Sequence, residues 1–169
     1  TLWGGDGDDT YVFHLGDGMT TGGGTSPYAS AYNQVREYIG EGADTIEFGA
    51  GIAPEDLYLW TDSNGNLFIR YSESDYIYVQ GSAISQMSRV GEYLEQIVFA
   101  DSTTWDLTQG LNLRNDDVGR ALFGSAQADV IEGGSGNDGL YSHGGDDVLT
   151  GGAGDDTLSG HDGSDTLYG

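Results

Sequence analysis

A nine-residue period in the last quarter of the chain constrains its fold more than any other feature. Five consecutive units occupy 124–132, 133–141, 142–150, 151–159 and 160–168. Position six of each unit is an acid, and these acids are Asp129, Asp138, Asp147, Asp156 and Asp165. Position eight is an aliphatic residue, and this ladder consists of Leu122 upstream followed by Ile131, Leu140, Leu149, Leu158 and Leu167. A flexible linker would not keep both columns, so the period predicts a repeat architecture.

The start of the chain has the same register. The run from Gly4 to Asp9 places Asp9 at position six and Tyr11 at position eight. Residues 1–3 and Gly169 fit the end of a preceding unit and the start of a following one. We therefore expect the chain to be a segment of a longer repeat array, whose neighbouring repeats would be its partners.

A unit of this kind can form a sharp glycine-rich turn followed by a very short strand. Two units then make an 18-residue coil, and stacked coils make a parallel β-roll with the aliphatic ladder inside. In that arrangement Asp129, Asp147 and Asp165 stack on one edge, and Asp138 and Asp156 stack on the other. Carboxylates about 4 Å apart repel by on the order of 4 kcal/mol at an effective dielectric near 20. The stack therefore requires cations.

Calcium is the ion that such turns suit, because it accepts carboxylate and backbone carbonyl oxygens in flexible geometry, whereas magnesium demands a near-ideal octahedron. The candidate metal residues are Gly5, Gly7, Asp9, Asp129, Gly134, Gly136, Asp138, Asp147, Gly152, Gly154, Asp156, Gly163 and Asp165. The paired acids recur with the repeat, so they are interpreted as metal ligands, and no enzymatic activity is expected.

The composition excludes several other classes of function. There are 28 acidic residues against 5 basic ones, which gives a net charge of −23 and argues against binding nucleic acid. The sequence contains no cysteine, so disulfides and thiolate chemistry are excluded. No apolar run approaches about 18 residues, so no membrane span is expected. Neither a basic nor an apolar leader opens the chain, so no signal peptide is predicted.

The units 133–141 and 151–159 closely resemble the RTX, or haemolysin-type, calcium-binding repeat. Units 124–132 and 142–150 depart from it at Gln127, Ser142 and His143, so their turns are expected to bind calcium less well. The resemblance implies a secreted bacterial protein, located outside the cell or at its surface, that leaves through a type I secretion system and folds on meeting calcium. A toxin, an adhesin or an exported hydrolase would be its parent.

The middle of the chain follows a different pattern of alternating runs bounded by turn residues. It predicts strands over 45–48, 57–61, 67–71, 76–80 and 94–100, arranged as an antiparallel meander with an aromatic core. This segment resembles the β-rich haemolysin-type calcium-binding-related domain found between RTX blocks. Residues 19–32 depart from that pattern and are predicted to be an inserted loop.

Together these patterns predict an all-β chain with calcium-bound parallel β-roll pieces at both ends, packed on a central antiparallel, sandwich-like meander. The expected divisions are the end of an N-terminal repeat block over 1–18, an inserted loop and connection over 19–43, the β segment over 44–108, a linker over 109–121 and the C-terminal roll over 122–169. The expected function is a calcium-binding module. The alternative is a carbohydrate- or host-surface-binding module that uses the central aromatics or the 19–32 loop.

Overall fold

The computed structural model describes residues 1–17, 33–37, 42–73, 75–80, 90–115 and 118–169. Short β-strands dominate these residues, and the helical elements among them are three single 3₁₀ turns over Pro54–Asp56, Val90–Glu92 and Leu107–Gln109. The predicted inserted loop over 19–32 lies outside the described residues. No helix in the described part of the chain has the length and apolar character needed to cross a membrane.

The strands number sixteen within the described ranges. They are β1 Leu2–Trp3, β2 Thr10–Phe13, β3 Asn33–Arg36, β4 Thr45–Phe48, β5 Tyr58–Thr61, β6 Leu67–Arg70, β7 Tyr76–Gln80, β8 Gln96–Phe99, β9 Thr104–Asp106, β10 Asn112–Arg114, β11 Ala121–Phe123, β12 Val130–Ser135, β13 Gly139–Tyr141, β14 Val148–Ala153, β15 Thr157–Ser159 and β16 Thr166–Tyr168.

These strands form three sheets. The largest has nine strands in the order β1-β3-β7-β6-β5-β10-β12-β14-β16, and the others have the orders β2-β4-β8-β9 and β11-β13-β15. The nine-stranded sheet is parallel at both ends and antiparallel through β7, β6, β5 and β10 in its middle. The predicted roll pieces and the central meander are therefore parts of one continuous sheet.

The C-terminal repeats form the predicted parallel roll of 18-residue coils. Ile131 aligns with Leu149 and Leu149 with Leu167 in the nine-stranded sheet. Leu122, Leu140 and Leu158 align in the three-stranded sheet. Leu122, Ile131, Leu140 and Leu149 are fully buried between the two sheets. Leu167 is 45% exposed, because no further strand of the described chain lies against β16 on its outer side.

The central strands were placed correctly by the sequence, but their predicted pairing was only partly right. Strands β5, β6 and β7 form the antiparallel meander, with Trp60 opposite Phe68 and Phe68 opposite Tyr78. Strand β4 instead pairs in parallel with β2 on one side and with β8 on the other. The prediction of one five-stranded antiparallel meander was therefore wrong for β4 and β8, because alternation within a strand does not fix which strand lies alongside it.

The segments predicted as connections contribute strands to this continuous sheet. Strand β3 lies within 19–43 and aligns Val35 with Leu2 on one side and with Val79 on the other. Strand β10 lies within 109–121 and aligns Leu113 with Ile131, which adds a coil above the first repeat. Val35 and Leu113 are fully buried, and all the buried apolar residues belong to a single core.

Candidate metal centres

The repeat turns adopt a common backbone conformation. In every described unit that has glycine at position two or four, that glycine has a positive φ, as at Gly5, Gly7, Gly134, Gly136, Gly145, Gly152, Gly154 and Gly163. His143 and His161 occupy position two of their units and keep this conformation, with φ of 75° and 62°. A left-handed backbone conformation with a positive φ is costly for residues other than glycine. The turn geometry is therefore retained even where its usual residue is replaced.

The repeat aspartates stack in two columns, as the 18-residue coil predicts. On one edge, the N–H of Asp129 donates to Oδ1 of Asp147 at 2.8 Å, and the N–H of Asp147 donates to Oδ1 of Asp165 at 3.1 Å. On the other edge, the N–H of Asp138 donates to Oδ1 of Asp156 at 2.9 Å. Each carboxylate is thus held by the backbone of the coil before it, which fixes its position in the stack.

Each column begins on the non-repeat coil that contains β10. The N–H of Leu111 donates to Oδ1 of Asp129 at 2.6 Å, and the N–H of Arg120 donates to Oδ1 of Asp138 at 2.8 Å. These contacts reproduce the bond made between repeats, but Leu111 and Arg120 supply no carboxylate. The non-repeat coil therefore closes both columns at their upstream end.

The second oxygen of several column carboxylates accepts no hydrogen bond. Asp138 and Asp147 are 3% and 1% exposed, yet Oδ2 of each is buried without a hydrogen-bond partner, as is Oδ2 of Asp9. A buried ionised oxygen with no partner is strongly unfavourable. A hard cation accepts such oxygens directly, so the residues present fit calcium. Asp138 and Asp147, on opposite edges, would each supply this Oδ2 to an ion.

The Asp129 turn satisfies its carboxylate in another way. Ser125 replaces the glycine at position two, and both its N–H and its Oγ donate to the Asp129 carboxylate, at 2.6 Å for the N–H. Burial raises the pKa of Asp129 to about 6, and the charge of Asp147 adds to this, although hydrogen bonds from Ser125 and Leu111 oppose it. In this degenerate turn, hydrogen bonds therefore replace part of the stabilisation that a metal ion would give to the carboxylate.

A third acid column runs along the four-stranded sheet, just before β2, β4 and β8. The N–H of Asp9 donates to Oδ1 of Asp44 at 3.0 Å, and the N–H of Asp44 donates to Oε2 of Glu95 at 2.6 Å. Burial raises the pKa of both Asp44 and Glu95. The sequence analysis selected Asp9 but missed Asp44 and Glu95. Each stands two residues before a buried isoleucine, Ile46 or Ile97, and this acid-x-aliphatic spacing was the available signal.

The predicted metal residues therefore fall into separate groups. Gly5, Gly7 and Asp9 lie at the β1 end of the nine-stranded sheet. The remaining predicted residues line the two edges of the C-terminal roll, with Asp129, Asp147 and Asp165 on one edge. The grouping follows the predicted stacking, and the assignment of each residue as a calcium ligand stays a prediction.

Comparison with known proteins agrees with this geometry at both ends of the chain. The RTX calcium-binding nonapeptide repeat matches in four copies, over residues 1–19, 121–149 and 141–169. No curated protein matches the chain.

Among solved structures, the chain is similar to the extracellular lipase LipA from Serratia marcescens, with 16% identity and a TM-score of 0.28. The alignment covers 98% of this chain, which spans 30% of the lipase chain. By the family model, residues 1–19 and 121–169 are RTX calcium-binding nonapeptide repeats, and repeats of this family bind calcium.

Proposed function

We propose that this calcium-binding module is a non-enzymatic folding unit of a secreted bacterial protein, exported unfolded through a type I secretion system and folded by calcium outside the cell. The observation that carries the proposal is the buried, unpartnered Oδ2 of Asp138 and Asp147 within the stacked turns. Without a cation these carboxylates oppose folding, and with one they become the strongest contacts between coils.

The charge of the chain supports the proposal that calcium binding drives folding. A net charge of −23 repels the compact state, and in the C-terminal roll only Leu122, Ile131, Leu140 and Leu149 are fully buried aliphatics that oppose the repulsion. A repeat roll of this kind stays unfolded at the low free calcium of the cytosol. The high calcium outside the cell would then supply the missing stabilisation.

The alternative, a carbohydrate- or host-surface-binding module, depends on aromatic side chains that are open to a ligand. Trp60 and Phe68 stack across β5 and β6 with ring centroids 5.4 Å apart, and both are only 4% exposed. Arg70 lies over the ring of the half-buried Tyr58, with its guanidinium carbon 4.1 Å from the centroid. These rings are used in packing, which favours the scaffold, and the 19–32 loop lies outside the described residues.

A calcium titration of the chelator-treated chain, followed by far-ultraviolet circular dichroism, tests the proposal. We expect strand content to rise steeply with a midpoint on the order of 10⁻⁴ to 10⁻³ M, typical of extracellular modules. Magnesium at the same concentrations should not replace calcium. A midpoint below about 10⁻⁷ M would contradict the proposal, because a site of that affinity belongs with tight cytosolic calcium binders.

Two variants test whether the calcium midpoint depends on the aspartate columns or only on total charge. Asp138→Asn removes one negative charge from a buried column, and Glu132→Gln removes one from an exposed position in β12. We expect Asp138→Asn to raise the calcium midpoint and Glu132→Gln to leave it nearly unchanged or to lower it slightly. Equal shifts would mean that total charge, and not the column, controls folding.

A further inference from the structure

Three carboxylates converge where the first repeat turn meets β3 and β4. Ligand oxygens of Asp9, Glu37 and Asp44 all lie within 4.8 Å of one another. Only Asp9 belongs to a nonapeptide unit, and neither Glu37 nor Asp44 lies in the segments that match the RTX repeat. The cluster therefore combines a repeat residue with two residues that the repeat pattern does not contain.

Strand register explains how Glu37 reaches this position. Strand β3 aligns Val35 with Leu2 and Arg36 with Trp3, so Glu37 falls beside Gly4, the first position of the repeat turn. In the unit itself that position is glycine, because a side chain there would lie 2.0 Å from Oδ2 of Asp9. Glu37 itself does not belong to the nonapeptide unit, so it stands beside the turn glycine and does not replace it.

The cluster is buried, and its oxygens are not fully used by the protein. Glu37 and Asp44 are 0% and 1% exposed. Oδ1 of Asp44 accepts the N–H of Asp9, but Oδ2 of Asp44 is buried without a hydrogen-bond partner, as is Oδ2 of Asp9. A nearly completely buried carboxylate with an unpartnered oxygen, close to two other carboxylates, is the arrangement that a hard cation stabilises.

The contacts around Glu37 orient it toward the other two acids. The hydroxyl of Tyr11 donates to Oε1 of Glu37 and itself accepts the N–H of Gly4 at 2.7 Å. The N–H of Glu37 donates to the carbonyl of Gln80, which continues the pairing of β3 with β7. The glutamate is thus held by the first turn on one side and by the sheet on the other.

We propose that Asp9, Glu37 and Asp44 form a calcium site of a different kind from the repeat sites, with three carboxylates around one ion. The ion would join the first repeat turn to the end of β3 and the start of β4, and so fix the N-terminal roll to the central sheet. The choice of ion rests on the calcium chemistry of the repeats, whereas the site itself rests on the geometry of these three acids.

Calcium stoichiometry of the 169-residue chain, measured by isothermal titration calorimetry with Glu37→Gln, tests the site. Glutamine keeps the size of the side chain and the oxygen that accepts from Tyr11, but it removes the charge. We expect one calcium equivalent to disappear or to bind at least about tenfold more weakly, as for the loss of a strong metal contact. Unchanged stoichiometry and affinity would overturn the proposal.

Matched variants separate this site from the repeat sites. Glu47→Gln removes a charge from an exposed position on β4 and should leave calcium binding unchanged. Asp138→Asn should weaken a different equivalent, in the C-terminal roll. Loss with Asp138→Asn but not with Glu37→Gln would overturn only the three-carboxylate site, whereas no loss with either would also overturn the proposed function.

Thermal unfolding distinguishes a ligand from a merely structural residue. If Glu37 binds calcium, Glu37→Gln should lower the midpoint in calcium, and in chelator it should leave the midpoint equal or raise it, because it relieves repulsion. A decrease of the same size in both buffers would overturn the proposal. Should Glu37→Gln lose strand content in calcium, Glu37→Asp keeps the charge but shortens the side chain, and an unchanged calcium affinity in that variant would also overturn it.

Discussion

The acid columns at the two ends of the chain use the same hydrogen bond with different sequence spacing. In the C-terminal roll each donor and acceptor are 18 residues apart, as in Asp129 to Asp147. In the N-terminal column they are 35 residues apart between Asp9 and Asp44, and 51 apart between Asp44 and Glu95. Strand register therefore maintains a column, and the nine-residue period is only the simplest way to obtain that register.

The two regions also differ in what stabilises them apart from metal. Beside the N-terminal column lie large buried side chains such as Phe13, Phe48, Tyr71 and Phe99, with ring centroids of Phe48 and Tyr71 5.2 Å apart. The C-terminal roll buries one aliphatic side chain in each of its first three units and becomes more exposed toward β16. We therefore expect the first region to keep a core without calcium and the second to depend on its ions.

The removal of calcium should produce the largest difference in structure between the two regions. In chelator we expect β12 to β16 to unfold, while β4 to β8 keep most of their structure, because burial stabilises these strands directly. Hydrogen exchange followed by mass spectrometry measures both regions in one sample. Equal loss of protection in the two regions would show that the core of the central strands also depends on metal.

The C-terminal roll was predictable because its period fixes turn, strand and register together. The positions of the central strands were also predictable from alternation, as in β7, whose limits of 76 and 80 were exact. The parallel pairing of β4 with β8 was not, because alternation says where side chains point but not which strand lies alongside. Glu37 and Asp44 were missed because they lie outside the nine-residue units and far along the sequence from Asp9, so only strand register brings them near it.

The loss of folding free energy caused by a single aspartate substitution should depend on the position of that aspartate in the column. Asp147 is 1% exposed, binds the backbone of Asp129 and donates to Asp165, whereas Asp165 is only half-buried and has one column neighbour. We expect Asp147→Ala to cost about 2–4 kcal/mol of folding free energy in calcium, and Asp165→Ala less. Calcium midpoints in one buffer measure both. A larger effect for Asp165→Ala would contradict stacking of alternate units.

Two glycines at position four allow the close packing of the repeat coils to be tested separately from turn strain. Gly154 and Gly7 have φ of 137° and 118°, but a side chain at Gly154 would lie 1.7 Å from the carbonyl oxygen of Gly136, and one at Gly7 would meet nothing within 4 Å. Both alanine variants share the left-handed strain, and Gly154→Ala adds overpacking against the neighbouring coil. Gly154→Ala should therefore lower the free energy of unfolding by about 1–3 kcal/mol more than Gly7→Ala does. Denaturant unfolding of the two variants measures this difference. Equal costs would mean that the coils can separate without loss.

The smallest expected effect is a dependence of the metal-free C-terminal roll on pH through Asp129. Its pKa is about 6 in the fold against an ordinary value of 3.8, because burial disfavours the charged form. The folded state thus binds a proton that the unfolded chain does not, and the stabilisation is complete below the ordinary value and lost as pH rises through about 6. One group contributes at most about 1.4 kcal/mol per pH unit over that interval.

In chelator we therefore expect the strand content of the C-terminal roll to rise as pH falls from 7 to 5. Asp129→Asn should raise strand content already at pH 7 and flatten this dependence, since asparagine carries no charge and can still accept from Ser125. In calcium we expect Asp129 to be deprotonated in both the folded and the unfolded chain. Asp129 should then contribute no pH dependence to the stability of the roll over the same range. Circular dichroism at fixed ionic strength measures all three conditions. If Asp129→Asn keeps the full pH dependence in chelator, the charge of Asp129 is not what opposes folding in the degenerate turn, and the hydrogen bonds from Ser125 and Leu111 already compensate for it.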